Sequence, residues 1–128
     1  MRRVFVLAGV SLLAACQTAT QPTMNTRTSD GAHALQTRLA ETVKTCWFAG
    51  DAAFTDYVYS PEINADAPRI LIAPRKDPGG RPVLVIEPKG ATTADVYGPM
   101  LASPMGARVR GDLGRWLKGA SDCGAAQG

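Results

Sequence analysis

The stretch RILIAPRKDPGGRPVLVIEP, residues 69–88, contains two short apolar runs separated by turn-forming residues. Residues 70–73 and 83–86 are each bracketed by prolines and are rich in aliphatic side chains, which is typical of strands. Between them, residues 77–80 combine a proline with two glycines and predict a type II turn. We therefore predict a hairpin. Because neither run alternates with polar residues, both strands should be central and covered on both faces, or meet an interface on one.

Two further strands are predicted on either side of this hairpin, at residues 54–59 and 94–97. In the first of them, Tyr57 and Tyr59 are two positions apart and therefore point to the same face. That face either binds a partner or contacts a helix of the same domain, and we favour the helix. Prolines and glycines separate all of these runs, so the sheet should be mainly antiparallel, with three or four strands.

An amphipathic helix is predicted before the strands, from a cap at Ser29 or Asp30 to about Gly50. Its apolar side chains recur three and four positions apart, which defines one buried stripe. The stripe consists of Leu35, Leu39, Val43, Cys46 and Trp47. The remaining polar positions are expected in solvent, namely His33, Gln36, Arg38, Glu41 and Lys44.

A second helix is predicted after the strands, with Ser103 as its cap, Pro104 at its first position and Gly119 as its stop. Its apolar stripe consists of Met105, Val109, Leu113, Trp116 and Leu117. Three glycines weaken this helix, so packing against the rest of the domain must stabilise it. The sequence thus predicts an α+β fold in which a sheet lies between an N-terminal and a C-terminal helix along the chain.

The chain opens with two arginines, an apolar stretch over residues 4–13, and the sequence Leu13-Ala14-Ala15-Cys16. This segment resembles the signal peptide and lipobox of bacterial lipoproteins, and the apolar part is too short to span a bilayer. The resemblance implies that Cys16 carries a diacylglyceryl group and fatty acyl chains and becomes the mature N-terminus. It also implies that Gln17 favours the outer membrane over the inner one. Arg2 and Arg3 resemble a twin-arginine export signal as well.

The chain therefore divides into a signal peptide (1–15), a lipidated N-terminus with a flexible tether (16–29), a globular domain (30–123) and a disordered tail (124–128). The whole chain has 14 basic and 11 acidic side chains and a formal net charge of +3. Arg2 and Arg3 leave with the signal peptide, so the mature chain is almost neutral. A nucleic-acid partner is accordingly not expected.

Once Cys16 is acylated, two of the three cysteines remain. We predict a disulfide between Cys46 and Cys123, because both face a compartment outside the reducing cytosol. This bond would tie the first helix to the end of the second. The alternative is a redox or nucleophilic thiol, but neither cysteine belongs to a C-x-x-C pair.

The sequence contains few residues that could form a catalytic or metal-binding site. His33 is the sole histidine and lies beside the tether, so the ligands for a zinc site are lacking, and we expect no metal and no cofactor. The patterns of zinc proteases, serine hydrolases and phosphate-binding loops are absent. Glu62, Asp66 and Glu87 are the candidate carboxylates for acid–base cleavage of a glycan.

Basic residues concentrate around the predicted hairpin, at Arg69, Arg75, Lys76 and Arg81. They could contact anionic lipid headgroups or the phosphates of an envelope glycolipid, or could simply keep the loop soluble.

We conclude that the sequence predicts a lipid-anchored, periplasm-facing lipoprotein of the outer membrane. It would act as a noncatalytic accessory module that binds an envelope protein, peptidoglycan or a glycolipid. The alternatives are a small carboxylate-dependent enzyme acting on cell-wall glycan or peptide, and an inhibitor of another envelope enzyme.

Overall fold

The computed structural model describes residues 22–62 and 66–124. It has the α+β architecture expected from the sequence, with one helix before and one after a four-stranded sheet. The elements are α1 (Pro22–Val43), β1 (Tyr57–Glu62), β2 (Arg69–Pro74), β3 (Leu84–Pro88), β4 (Ala94–Tyr97) and α2 (Gly106–Leu117). Three short helical segments join them, a π-helical turn at Lys44–Phe48 and 3₁₀ turns at Ala52–Phe54 and Pro99–Ala102.

The sheet is an antiparallel meander in which each strand pairs with the next along the chain, in the order β1-β2-β3-β4. The predicted hairpin strands, β2 and β3, are therefore central, as expected. Alternate side chains of the strands point to opposite faces. One face packs against both helices, and its fully buried members on the central strands are Ile70, Ile72, Leu84 and Ile86.

The helix α1 begins at Pro22, earlier than the predicted cap at Ser29 or Asp30. Proline suits the first turn of a helix because its missing N–H needs no partner there, and no proline interrupts the helix after it. The helix therefore includes residues 22–29, which we had assigned to the tether. The signal peptide, Cys16, the tether up to residue 21 and the tail residues 125–128 lie outside the described residues.

The apolar stripe of α1 is buried as predicted, but three of the polar positions are not exposed, since His33 and Arg38 are partly buried and Gln36 is buried. Gln36 is only 1% exposed, and its amide donates to the carbonyl oxygens of Glu62 (2.8 Å) and Arg69 (2.9 Å). The Arg38 guanidinium donates to the carbonyl of Trp116 at 2.7 Å. These long side chains reach backbone carbonyls at the ends of neighbouring elements, so their positions flank the stripe rather than oppose it.

The segment before β1 also differs from the prediction. Phe54 belongs to the 3₁₀ turn and not to a strand, because Asp51 caps that turn by accepting a hydrogen bond from the Ala53 N–H at 3.0 Å. The strand β1 instead extends to Glu62 and includes Pro61, which an edge strand tolerates.

The turn between β2 and β3 is formed at residues 77–80, where the Gly80 N–H donates to the Asp77 carbonyl at 3.1 Å. It is not the predicted type II turn, because Gly79 does not adopt the positive φ that this type requires. A tight two-residue hairpin would need such a φ, whereas the connection here runs from Pro74 to Leu84 and is long enough to avoid it.

The second helix follows the prediction closely. The Ser103 hydroxyl accepts a hydrogen bond from the Met105 N–H at 3.2 Å, although the regular helix starts only at Gly106. Gly119 has a φ of 108° just beyond the end of α2, which explains the stop. The disulfide between Cys46 and Cys123 is formed, with the two Cα atoms 5.0 Å apart.

The disulfide closes a loop of 77 residues, so its removal should cost the domain much of its stability. In the loop-entropy model a closure of this length contributes about 4 to 5 kcal/mol. We expect the double substitution Cys46→Ala/Cys123→Ala to lower the free energy of unfolding by about this amount in urea titrations. Reduction of the unmodified protein is the matched control and should give the same loss. A loss below about 1 kcal/mol would contradict the stapling role.

Two exposed glycines of α2, Gly111 and Gly114, have open space around the position of a Cβ atom. Glycine in a helix interior is less favourable than alanine by up to about 1 kcal/mol. We therefore expect Gly111→Ala and Gly114→Ala each to stabilise the domain by about 0.5 to 1 kcal/mol in thermal or urea unfolding. The control is Gly119→Ala, which must destabilise because residue 119 has a positive φ.

Candidate functional site

The face of the sheet that points away from the helices is here called the open face. In its centre, Leu71 of β2 lies opposite Val85 of β3, and Val85 lies opposite Tyr97 of β4. Tyr97 is 47% exposed, the large apolar side chain that stands out among the described residues. Exposed aromatic side chains of this kind are typical of contact surfaces.

The connection between β2 and β3 folds over one part of the open face and forms a cavity there of about 280 Å³, here called the loop cavity. Its floor comes from alternate residues of β1 and β2, and its wall comes from the prolines and glycines of the connection. The lining residues are Val58, Ser60, Glu62, Leu71, Ala73, Pro78, Gly79, Gly80 and Pro82. The lining mixes apolar side chains with polar atoms, which include a hydroxyl and a carboxylate on the β1 side.

Charged side chains cross the open face in a row beside the cavity. The Arg69 guanidinium donates to the Glu62 carboxylate at 2.8 Å. The Tyr97 hydroxyl donates to Glu87 at 2.7 Å, and the Lys89 ammonium donates to the other oxygen of Glu87 at 3.1 Å. The hydrogen bonds from Tyr97 and Lys89 hold the pKa of Glu87 below its ordinary value, and the bond to Glu87 raises the pKa of Tyr97.

This row does not make the carboxylate pair that glycan cleavage needs. Glu62 and Glu87 lie on β1 and β3, which β2 separates, so their backbones are about 10 Å apart across the sheet. Arg69 of β2 lies between them and neutralises Glu62. The depressed pKa of Glu87 is also the wrong direction for a general acid. The third candidate, Asp66, is exposed in the connection to β2 and does not line the loop cavity.

A second group of carboxylates lies on the other side of the domain, between the two helices. Asp112 is 3% exposed and accepts a hydrogen bond from the Trp47 indole N–H at 2.9 Å. Arg108 forms an ion pair with Asp51 and lies 3.6 Å from Asp112. Of the two carboxylates only Asp51 borders a surface depression, which also includes Trp47 but not Asp112. The group joins α2 to the end of α1, which is a structural role.

The four predicted anion-contacting residues do not form one cluster. Arg69 begins β2 and Arg75 follows its end, so they lie about 20 Å apart at opposite ends of a strand. Arg69 belongs to the charge row, while Arg75, Lys76 and Arg81 surround the turn at the far end of the sheet. The Arg75 guanidinium donates to the carbonyl oxygens of Thr55 (2.8 Å) and Tyr57 (3.3 Å).

The other residues singled out in the sequence have structural positions and do not add to a site. Tyr57 and Tyr59 share the face that packs on the core, as favoured, and Tyr59 lies against Phe48. The cysteines are joined, so neither provides a reactive thiol. His33 is partly buried on α1, and residues 22–62 and 66–124 contain no group of acids, cysteines and histidine suited to a metal ion.

Tyr97 is a residue of the candidate site that the predictions from the sequence omit. Strand alternation could have found it, because Asp95 and Tyr97 are two apart and must share a face, and a charged residue marks that face as accessible. The loop cavity had no such signal, because it depends on how the β2–β3 connection folds back.

Comparisons with protein-family models, with curated proteins and with solved structures find no match for this chain. In the part of the chain that the structure describes, no helix has the length and apolar character needed to cross a bilayer.

The ion pair of Asp51 with Arg108 should make the free energy of unfolding depend on pH in the acidic range. The hydrogen bond from Arg108 lowers the pKa of Asp51. The ion pair therefore contributes to stability at neutral pH, and this contribution is lost as the pH falls from about 5 through the lowered pKa of Asp51. Asp51→Asn keeps the cap of the 3₁₀ turn but removes the charge. We expect it to cost about 1.5 to 3 kcal/mol at pH 7 in urea unfolding, and less at pH 3.

The matched control is Asp56→Asn, which makes the same charge change at an exposed carboxylate. It should alter the free energy of unfolding by less than about 0.5 kcal/mol at either pH. Equal losses for the two variants would show that the Asp51–Arg108 pair adds nothing to stability.

Proposed function

We propose that this chain is a lipid-anchored accessory protein of the bacterial outer membrane that faces the periplasm and binds an envelope partner through the open face of its sheet. The anchor part of the proposal is supported by the arginines, the apolar stretch and the Leu-Ala-Ala-Cys sequence at residues 1–16. A thioether-linked diacylglyceryl group with a further acyl chain would hold the protein stably at the bilayer.

One observation carries the binding part of the proposal. The open face is covered by neither helix and is not flat, because the β2–β3 connection forms the loop cavity on it. Tyr97 is exposed on the same face, two strands away from the cavity. A surface that combines a cavity, an exposed aromatic ring and a fixed row of charges is typical of recognition sites. The carboxylates on this face are neutralised by neighbours and do not converge, which favours binding over hydrolysis.

In-cell crosslinking can test both parts. A photoreactive amino acid at Ser60, an exposed position that lines the loop cavity, should capture one partner in intact cells. The same residue at Ala107, an exposed position on α2, should not capture that partner and serves as the matched control. Cys16→Ala should raise the apparent mass and prevent recovery in the outer-membrane fraction, since the unlipidated precursor would keep its signal peptide.

The two parts fail separately. If Cys16→Ala leaves mass and membrane association unchanged, the anchor is refuted, whatever the crosslinks show. If Ser60 and Ala107 capture the same proteins, and the purified domain instead turns over peptidoglycan, the binding role is refuted in favour of the enzymatic alternative.

A further inference from the structure

We infer that the loop cavity and the loop beside it bind an acidic peptide segment of another envelope protein. This inference rests on the proposed function, because it names the chemistry of the partner at the same open face. It depends on three features of the described residues, namely the charge of the loop, the lining of the cavity and the position of both relative to the start of α1.

Positive charge is concentrated in residues 75–81, here called the basic loop. It carries three basic side chains and one acidic one, while the chain that would follow signal-peptide removal carries 12 basic and 11 acidic residues in all. The rest of that chain is therefore slightly acidic. The one acidic residue of the loop, Asp77, has its carboxylate against Gly80, and Lys76, Asp77 and Arg81 are all exposed. Carboxylates of a partner would be attracted to this loop, where positive charge and a cavity lie side by side.

The cavity under the loop suits a side chain of the same partner. At about 280 Å³ it has room for one or two side chains, and Val58, Leu71 and Pro82 supply apolar contacts beside the polar groups on the β1 side. Two prolines and two glycines line it on the loop side, so little side-chain entropy is lost when it is filled. A peptide segment with an apolar residue between acidic ones could place the apolar side chain in the cavity and form ion pairs with the basic loop at the same time.

The position of the loop argues against the protein's own bilayer as its partner. Gly31 in α1 lies against Ala91 in the β3–β4 connection, and Gln36 contacts the ends of β1 and β2, so α1 starts at the end of the sheet opposite to the basic loop. From Pro22 to Cys46 the helical axis covers about 36 Å. The start of α1 thus lies at one end of the domain, and the basic loop extends from the other.

The test uses the mature protein without its lipid, immobilised through the N-terminus, and a phage-displayed library of random linear 12-residue peptides. We expect the selected sequences to be enriched in Asp and Glu around an apolar residue. A synthetic peptide of the most enriched sequence should bind Lys76→Glu/Arg81→Glu about tenfold more weakly than the unmodified protein, since two ion pairs are reversed. Its affinity should also fall as salt is raised.

The matched control is Arg110→Glu/Lys118→Glu, which makes the same change in net charge at exposed positions of α2. This control should change the affinity less than about twofold, because the peptide contacts the basic loop and a distant change in net charge has only a small, screened effect. Ser60→Leu, which narrows the cavity and leaves the loop charges, should also weaken binding. Equal losses in the two double variants would overturn the inference.

Two further outcomes would overturn it while leaving the proposed function intact. One is selection of neutral or basic peptides, or of none, while the Ser60 crosslinker still captures a partner in cells. The other is binding of the protein to vesicles that contain 30% phosphatidylglycerol, lost in the Lys76→Glu/Arg81→Glu variant alone, which would assign the loop to a lipid surface. If the Ser60 crosslinker captures nothing beyond the Ala107 control, the proposed function itself fails.

Discussion

Trp47 forms the joint between the end of α1, the segment that leads to the sheet, and α2. It is fully buried at the end of the first helix. Its ring centroid lies 4.7 Å from that of Phe54, on which it stacks, and 5.1 Å from that of Trp116 in α2. Its indole N–H is satisfied by the buried carboxylate of Asp112, and the adjacent Cys46 is bonded to Cys123. One π-helical turn thus supplies apolar packing, a buried hydrogen bond and a covalent link to the C-terminal helix. Neither helix could move on the sheet without losing all three.

This joint explains why one face of the sheet is left open. A domain of about 100 residues has little apolar surface to bury, and both helices here pack on the same side. The covalent link and the aromatic cluster stabilise that side, so the other face does not need a covering layer. The long β2–β3 connection provides partial cover instead and buries Ala73, which lines the loop cavity. Stability therefore comes from one face of the sheet, and the shape of the other is available for recognition.

The parts of the fold that follow from local chemistry could be predicted from the sequence. Apolar periodicity identified α1, α2 and the two central strands, and the cysteine count identified the disulfide. The misjudged positions depend on distant contacts. Gln36 is polar by type but buried because two strand ends present carbonyls to it, and Arg38 contacts a carbonyl of the other helix. The turn type was wrong because it depends on the length and path of the whole connection, which residues 77–80 do not determine.

The candidate site was harder to predict, because it depends on which end of a strand a charge occupies. Arg69 and Arg75 are six positions apart in sequence and flank the same apolar run, so they seemed to be neighbours. The strand between them is extended, and it sends Arg69 to the charge row and Arg75 to the basic loop. Because successive connections of a meander alternate between its two ends, the β2–β3 connection must lie opposite to both of its neighbours. The same antiparallel pairing that buries the central strands therefore separates an acidic, mutually neutralised row from a basic loop. That separation gives the sheet one end with an acidic row and one end with a basic loop.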